Sequence, residues 1–234
     1  MRGLFVTGTS TGVGKTAVAA GLAWALRKQT DVGVMKPFAT ANRPFSTKYR
    51  SEDTALLAKA AGVKDSDREI NPFFYTLAAS PLVASQHRNQ SPPDIEEALR
   101  ALQGLARKHD FMIVEGIGGI MVPLTENESV ADFAKRAGLP AVIVSTPALG
   151  TLNHTLLTVM ACKEFGIDIK GIIVNKMPKK PNIVEKKAPE VIERLAGVRV
   201  LGVLPTLQSA NHSAIGKVVE KTVDLDGLLS VQKP

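Results

Sequence analysis

The amino-acid sequence predicts an α/β fold: one domain, residues 1–234, with a parallel β-sheet covered by helices on both faces. Short apolar runs alternate with helical patterns from one end of the chain to the other. These runs are continuously apolar, as is typical of strands buried on both faces of a parallel sheet. No repeat, low-complexity tract or Gly/Ser linker divides the chain, so a single domain is expected.

Six apolar runs are predicted to be strands. They are residues 3–7 (GLFVT), 32–38, 111–115 (FMIVE), 141–145 (AVIVS), 171–175 (GIIVN) and 200–203. Repeated strand–helix units favour right-handed crossovers, which place successive helices on the faces of the sheet.

Helices are predicted between these strands. The first covers residues 16–28, and another follows Ser91 and two prolines, placing Ile95, Leu99, Leu102 and Leu105 on one face before it ends at residues 107–108. A third spans 151–165, where Leu152, Leu156, Val159 and Met160 are expected to form the buried stripe, with Cys162 packed beside them. Residues 39–93 are less regular and are predicted to form two or three short helices joined by exposed loops.

The composition excludes several classes of protein. With 44% hydrophobic and 22% charged residues, the chain is neither intrinsically disordered nor fibrous. A single cysteine cannot form an internal disulfide, and no group of Cys and His has metal-ligand spacing. No apolar run reaches the length of a membrane span and residues 1–7 lack the features of a signal peptide, so we expect a cytoplasmic protein without membrane association.

The basic residues outnumber the acidic ones, 29 to 22, for a formal net charge of +7. Such a balance suits either nucleic acid or a small polyanion such as a nucleotide phosphate. The basic segment 176–187 contains two prolines and no aromatic residue on which a base could stack. We therefore predict a solvated, mobile loop there and no nucleic-acid partner. His154 and His212 have no partners at catalytic spacing and are expected to be polar surface or helix-start residues.

A phosphate-binding loop is predicted at residues 8–16, GTSTGVGKT, between the first strand and the first helix. Gly12 and Gly14 allow backbone N–H groups to close around phosphates, Lys15 reaches the β/γ oxygens, and the Thr16 hydroxyl can bind Mg²⁺. The loop is a variant, because Thr9 occupies the position of the usual first glycine and Gly8 comes one residue early.

Polar residues follow the predicted strands at what would be one edge of the sheet, where such folds bind ligands. Glu115 ends a strand where P-loop enzymes keep a metal-ordering carboxylate, and Asp53 opens a helix; either could complete a Mg²⁺ shell with Thr16, although Asp53 could equally be a helix N-terminal carboxylate. Lys36 follows a strand and precedes Pro37, so its ammonium could neutralise a transferring phosphoryl group or hold an anionic substrate. Asn175 could read a base edge.

These segments together resemble the dethiobiotin synthetase family of the biotin pathway. The resemblance rests on GTSTGVGKT, MKPFAT (35–40), Asp53, VEGIGG (114–119) and LGTLNH (149–154), and it runs through nearly the whole chain. It implies a single P-loop ATP-dependent synthetase domain that carboxylates 7,8-diaminononanoate with CO₂ and closes the ring. The reaction would pass through a carbamate and its phosphoric anhydride to dethiobiotin, ADP and phosphate.

The resemblance also implies roles for individual residues. Thr11, Lys15 and Lys36 would steady the carbamate and the developing phosphoryl charge, and Thr16, Asp53 and Glu115 would hold Mg²⁺. The ATP site would comprise Gly12, Val13, Gly14, Lys15, Thr16, Ala17, Asp53, Glu115, Gly116, Ile117, Gly118, Asn175, Lys176, Pro205, Thr206 and Leu207. Thr40, Gly150, Thr151 and Asn153 would contact the substrate.

Members of the family are homodimers in which the turn before the helix at Gly150 receives the carboxylate tail of a substrate bound mainly to the other subunit. Some members use a tyrosine late in the chain near that tail, whereas this chain has only Tyr49 and Tyr75. Two further departures are Gly12, where some members have an acidic residue, and Thr40, which replaces a serine and keeps the hydroxyl.

Two other classes share the sheet and the loop. Partitioning and positioning ATPases use the nucleotide as a switch for partner binding, but they carry an extra lysine early in the loop, where this chain has Ser10. Cobyrinic acid amidases have a similar loop and add a glutaminase domain with a nucleophilic cysteine. We expect no such domain, because the predicted sheet and helices take up these residues, and Cys162 lies within a predicted helix stripe.

Overall fold

The computed structural model describes residues 1–207 and 211–229, and over these ranges the chain builds one six-stranded sheet between two layers of helices. Every strand pair in it is parallel, which confirms the predicted fold class. The strands are β1 (Gly3–Gly8), β2 (Val32–Met35), β5 (Phe111–Glu115), β6 (Ala141–Ser145), β7 (Ile169–Met177) and β8 (Val200–Pro205), and their order is β2-β5-β1-β6-β7-β8. A separate two-stranded sheet pairs β3 (Phe38–Thr40) with β4 (Phe73–Tyr75).

The helices are α1 (Lys15–Leu26), α2 (Glu52–Ala61), α3 (Asp67–Ile70), α4 (Pro81–His87), α5 (Ile95–Ala106), α6 (Val130–Ala137), α7 (Thr151–Glu164), α8 (Ile183–Ala196), α9 (His212–Thr222) and α10 (Leu225–Leu229). The helix predicted after Ser91 is confirmed as α5, and Asp94 caps it by accepting a hydrogen bond from the Glu97 N–H at 3.2 Å.

The core consists of two apolar layers, one on each face of the sheet. Successive strand residues alternate between them: Leu4 and Val6 pack against α1, α2 and α9, whereas Phe5 packs against α5, α6, α7 and α8. Both faces of each central strand are therefore apolar, which explains the continuous hydrophobic runs in the sequence.

The sheet register brings two chain segments together at the carboxyl ends of the strands. Met35 pairs with Val114, so the next residues of β2 and β5, Lys36 and Glu115, emerge side by side. Val6 pairs with Glu115, which places the loop after β1 at the same edge. Ligand-binding groups collect there because parallel strands all end on that side.

The prediction of one strand over 32–38 is wrong for residues 36–38, because β2 ends at Met35. Pro37 has no N–H to donate, and Phe38 starts β3, which pairs with β4. Residues 39–93 form the short helices α2, α3 and α4, in agreement with the two or three that the sequence predicts. The sequence does not predict β3 and β4, because strands of three residues leave too short a pattern to recognise.

The prediction of a buried apolar stripe on the helix at 151–165 is wrong in part. Val159 and Cys162 are buried, but Leu152 is 36% exposed and Met160 is 64% exposed. The buried face is instead rich in hydroxyl groups: Ser145 Oγ lies 2.7 Å from both Thr151 Oγ1 and Thr155 Oγ1. Because these hydroxyls satisfy one another, polar side chains can face the sheet and leave apolar ones at the surface.

The loop predicted over 176–187 is shorter than expected. Strand β7 continues to Met177, and α8 begins at Ile183 behind a capping box in which Asn182 and Glu185 bond reciprocally. Among the described residues, no helix is both long enough and apolar enough to cross a membrane.

Candidate functional site

The loop after β1 has the geometry of a phosphate cradle. Gly12 and Gly14 have φ values of +79° and +94°, and Gly14 is the N-cap residue of α1. An L-side chain at either position would be strained, which accounts for the two glycines. The N-terminus of α1, with its unpaired N–H groups, therefore faces the edge of the sheet where the strands end.

Lys15 is folded back over its own loop. Its ammonium donates to the Ser10 carbonyl at 3.0 Å, and the residue is only 7% exposed. Burial lowers the pKa of Lys15 to about 8, an effect that the Glu115 charge partly offsets. A phosphate anion beside this side chain would favour its charged form.

A charge cluster built on buried Lys36 and Glu115 lies directly behind the loop. The Lys36 ammonium lies 2.6 Å from Glu115 Oε1 and 3.0 Å from Asp53 Oδ2, and the Thr16 hydroxyl donates to Glu115 Oε1 at 2.8 Å. Glu115 is 1% exposed. The structure therefore brings together the three predicted metal-binding residues and the predicted phosphoryl-neutralising lysine.

The charges in this cluster support one another. Burial by itself would lower the pKa of Lys36, but the carboxylates of Glu115 and Asp53 outweigh it and raise that pKa. Burial likewise opposes ionisation of Asp53, yet the Lys36 ammonium holds the pKa of Asp53 below its usual range. Burial raises the pKa of Glu115, against the attraction of Lys36.

The donor set of this cluster fits Mg²⁺. Two carboxylates and a hydroxyl are the hard oxygen ligands that this ion prefers. Glu115 Oε2 is buried and accepts no hydrogen bond from the part of the chain that is described, so one carboxylate oxygen is free to coordinate. No group of three or more His, Cys, Asp or Glu side chains in residues 1–207 and 211–229 is arranged to hold a metal ion, so at this site further ligands would have to come from phosphate and water.

A cavity of about 570 Å³ opens over the cluster. Its walls include Thr11, Thr40, Ile117 and Gly118, all predicted site residues. The Thr40 hydroxyl donates to the Ala79 carbonyl at 2.9 Å. Residues 78–80 also line the cavity, and the sequence does not predict them there because they follow the unrecognised strand β4. The sequence signal in this segment is Ser80 before Pro81, a pair typical of a helix start.

The predicted base-binding residues lie on the other side of the loop. Asn175, 5% exposed, donates through Nδ2 to the Val13 carbonyl at 2.9 Å, and Lys176 donates to the Gly12 carbonyl at 2.6 Å. The Thr206 N–H donates to the Met177 carbonyl at 2.8 Å, which ties the segment after β8 to the end of β7. Pro205 and Leu207 are the chain neighbours of Thr206. Ala17 lies in the first turn of α1.

The three residues expected at the substrate tail are not all free to contact it. Gly150 (φ +91°) is the N-cap residue of α7, and Asn153 is exposed, but the Thr151 hydroxyl is buried against Ser145. Thr151 also lines a second cavity of about 290 Å³, which shares Thr11 and Gly12 with the first. Exposed His154 borders this second cavity, and His212 begins α9.

Comparison with known proteins supports the nucleotide chemistry of this site. Residues 2–214 match a family described as an AAA domain. The chain is 40% identical over 230 residues to an ATP-dependent dethiobiotin synthetase from Nitrosopumilus maritimus, covering 98% of this chain and 100% of that protein. It is also 40% identical over 231 residues to the ATP-dependent dethiobiotin synthetase of Bacillus subtilis, covering 98% of each.

Solved structures share the fold at lower identity. A ParA family ATPase from Chlorobium tepidum superposes with a TM-score of 0.56 at 19% identity, covering 98% of this chain and 99% of that one. The septum site-determining protein MinD from Pyrococcus horikoshii, solved with Mg-ADP, gives a TM-score of 0.53 at 19% identity, with 98% of each chain covered. At this identity the likeness concerns the P-loop fold alone.

Proposed function

This chain belongs to the dethiobiotin synthetase family of ATP-dependent ligases, and from that premise we propose that it converts 7,8-diaminononanoate and CO₂ to the cyclic urea dethiobiotin, releasing ADP and phosphate. One amine adds to CO₂ and gives a carbamate. A carbamate oxygen attacks the γ-phosphorus of ATP, and ADP leaves. The second amine then attacks the carbonyl carbon of the mixed anhydride, and phosphate leaves as the ring closes.

The observation that carries this proposal is the set formed at the phosphate loop by buried Lys36 and Glu115 with the partly exposed Asp53 and Thr16. Each step of this reaction develops or moves negative charge on carbamate or phosphoryl oxygens. Fixed cations stabilise such charge most strongly where water is excluded. We propose that Lys36 and Lys15 bind these oxygens, with Thr11 donating from the wall of the same cavity.

The metal proposed for this site is Mg²⁺, held by Thr16, Asp53 and Glu115 together with the phosphates of ATP. When bound, it would neutralise charge on the β- and γ-phosphoryl oxygens. The free Glu115 Oε2 supports this assignment.

The nucleotide base is proposed to lie between Asn175 and the segment Pro205, Thr206 and Leu207. Two observations support this: Asn175 already hydrogen-bonds the phosphate loop, and Thr206 is bonded to the end of β7. Lys176 borders the same loop through Gly12. Val13 and Ala17, with residues 116–118, would complete the nucleotide site.

A homodimer is also proposed, with the substrate extending across its interface. The outward face of α7 carries Leu157 and Met160, 54% and 64% exposed, and Leu149 just before it is 90% exposed. Exposed apolar side chains clustered on one helix favour burial against a partner. Thr40 would contact the diamine end of the substrate, and the helix N-terminus at Gly150 and Asn153 of the other subunit would receive its carboxylate.

The test is phosphate release from Mg·ATP with and without 7,8-diaminononanoate and bicarbonate, with the product identified by mass. Lys36→Ala is compared with Lys163→Ala, which removes a lysine at the C-terminal end of α7 that donates to the Ala196 carbonyl of α8. We expect diamine-dependent release and the cyclic urea from the unaltered chain and from Lys163→Ala. Lys36→Ala should lose at least about a hundredfold in kcat.

Two outcomes would overturn the proposal. ATP hydrolysis that ignores the diamine would remove the substrate assignment, and release that requires a protein or DNA partner would favour a switch ATPase. Full activity of Lys36→Ala would leave the reaction standing but remove the assigned role of the buried lysine.

A further inference from the structure

Asn71 is a buried amide next to the charge cluster, and the mechanism above does not use it. It is 0% exposed. Its Nδ2 donates to the Lys36 carbonyl at 2.7 Å and to the Phe73 carbonyl at 3.1 Å. Both hydrogens of the amide are therefore used, one of them on the backbone of the buried lysine.

The described strands of the main sheet do not hydrogen-bond the backbone of Lys36. The β2–β5 pairing ends at Met35 and Val114. Beyond it, the Lys36 N–H donates to the Ile70 carbonyl at 2.9 Å, and its carbonyl accepts from Asn71. Two consecutive residues, Ile70 and Asn71, thus bind the backbone N–H and the backbone carbonyl of Lys36, just beyond the end of β2.

The backbone at Asn71, independently of its side chain, holds the segment that carries Asp53. Its carbonyl accepts a hydrogen bond from the Arg50 guanidinium. Arg50 further binds Asp67, through its backbone N–H at 3.2 Å and through Nε at 2.5 Å. Since α2 starts two residues after Arg50 and bears Asp53 in its first turn, this contact fixes the approach of that carboxylate to Lys36.

We propose that Asn71 is a positioning residue that sets the Lys36 ammonium between Asp53 and Glu115 for phosphoryl transfer. The inference rests on the proposed function, because it assigns Asn71 a role through Lys36 in that reaction. Asn71 Oδ1 is buried and accepts no hydrogen bond among the described residues, so the two donors of the amide make the polar contacts of this side chain. Aspartate would present an acceptor to two carbonyl oxygens and could not replace it.

The test is a double-mutant cycle between Asn71→Ala and Lys36→Ala, read as kcat and KM for ATP in phosphate release. In the unaltered background, Asn71→Ala should lower kcat about ten- to a hundredfold and change KM for ATP by less than about threefold. In the Lys36→Ala background the same change should alter kcat by less than about twofold. An equal loss in both backgrounds would mean a structural role alone and would overturn the proposal.

Asp94→Ala serves as the stability control, because it removes the cap of α5 away from the cavity. Its kcat should stay unchanged even where its melting temperature falls as far as that of Asn71→Ala. If Asn71→Ala does not fold, Asn71→Leu takes its place, since it keeps the size of the side chain and removes both N–H donors. It should lower kcat several-fold, and no loss of kcat in a folded Asn71→Leu would overturn the proposal.

Crystal structures separate this inference from the proposed function. If the unaltered chain shows no diamine-dependent release, the proposed function fails, while the position of Lys36 can still be compared between the unaltered chain and the Asn71 variant. Displacement of the Lys36 ammonium from Asp53 and Glu115 in the variant would support the positioning role. An unmoved ammonium would overturn it.

Discussion

The Lys36 ammonium lies 2.6 Å from Glu115 Oε1, the same oxygen atom that accepts the Thr16 hydroxyl. This contact joins the end of β2 to the end of β5 inside the cavity. The carboxylates that neutralise Lys36 are also those proposed to hold Mg²⁺. A lysine and a divalent cation would therefore share the negative charge of the same two carboxylates.

Removing this lysine should strengthen metal binding in the absence of nucleotide. In Lys36→Met the two carboxylates lose their internal cation, so Mn²⁺, used as a probe for Mg²⁺, should bind at least about fivefold more tightly. Electron paramagnetic resonance of free Mn²⁺ measures this affinity. Lys163→Met is the matched control and should behave like the unaltered chain; equal affinities in all three proteins would contradict the shared-site argument.

Adding one methyl group at Gly14 should abolish tight nucleotide binding. A Cβ there would overlap the Asn175 side-chain amide at a backbone φ of +94°. Gly197→Ala provides the comparison, because Gly197 also has a positive φ (+61°) but has no atom within 4 Å of the added carbon. Both variants should lose about 1 kcal/mol of stability or more. Only Gly14→Ala should lose more than about tenfold in ADP affinity by calorimetry.

A charge on the outward face of α7 should dissociate the proposed dimer. Met160→Glu places a carboxylate where a 64% exposed apolar side chain stands, and it would be buried without a partner in the interface. Sedimentation velocity should show dimers for the unaltered chain and monomers for Met160→Glu. Leu195→Glu alters a similarly exposed leucine on α8 and should remain dimeric; a monomeric unaltered chain would contradict the prediction.

The single cysteine should be unreactive in the folded protein. Cys162 is fully buried, and burial raises the pKa of its thiol to about 11, so little thiolate forms at pH 8. A chromogenic disulfide reagent should label it only after denaturation. Leu195→Cys, which adds a second thiol at an exposed position, should react at once with one equivalent. Rapid labelling of the unaltered native chain would show that α7 opens readily.

The pair between Glu69 and Lys108 should make stability depend on pH. The Lys108 ammonium, 2.5 Å away, and the bonds from Ser66 hold the pKa of Glu69 at about 2. Because this folded value lies below the unfolded one of 4.5, the stabilisation is complete above about pH 5 and is lost as the pH falls towards 2. Glu69→Gln should therefore be less stable than the unaltered chain at pH 7, by about 0.5 kcal/mol for an exposed pair, and equal to it near pH 2.

Urea unfolding at a series of pH values measures this difference. Glu164→Gln, a change of an exposed acid at the end of α7, should show no such pH-dependent gap. A gap between Glu69→Gln and the unaltered chain that stays constant from pH 7 to pH 2 would show that the charge pair is not its cause.

The central sheet and the core of the site could be predicted from the sequence because both depend on local signals. The glycine pattern before Lys15 marks the loop, and residues that end apolar strands, such as Lys36 and Glu115, share one edge of any parallel sheet. The contact of Asp53 with Lys36 could not be derived in this way, since it depends on how α2 packs. The sequence alone leaves Asp53 as either a metal ligand or a helix N-terminal carboxylate, and the resemblance to a known family favours the metal ligand.

Other errors have identifiable physical causes. On α7 several residues of the apolar pattern lie at the surface, because the hydroxyls of Thr151, Thr155 and Ser145 hydrogen-bond to one another on the buried face. Apolar residues predict burial only when no other surface, such as a partner subunit, covers them. Asn71 carried no signal at all, since its role arises from backbone carbonyls that come together only in the folded chain.

The sheet order has a consequence for how the protein acquires activity. The contacts that complete the cavity are far apart along the chain: Thr16 and Glu115 are separated by 99 positions, and Lys36 and Glu115 by 79. A chain still being synthesised therefore holds a phosphate loop without its carboxylate until β5 has been made and inserted between β2 and β1. Pairings of this sequence separation are slow to form, so the return of catalysis after denaturation should report the closing of the sheet, later than the appearance of helical structure.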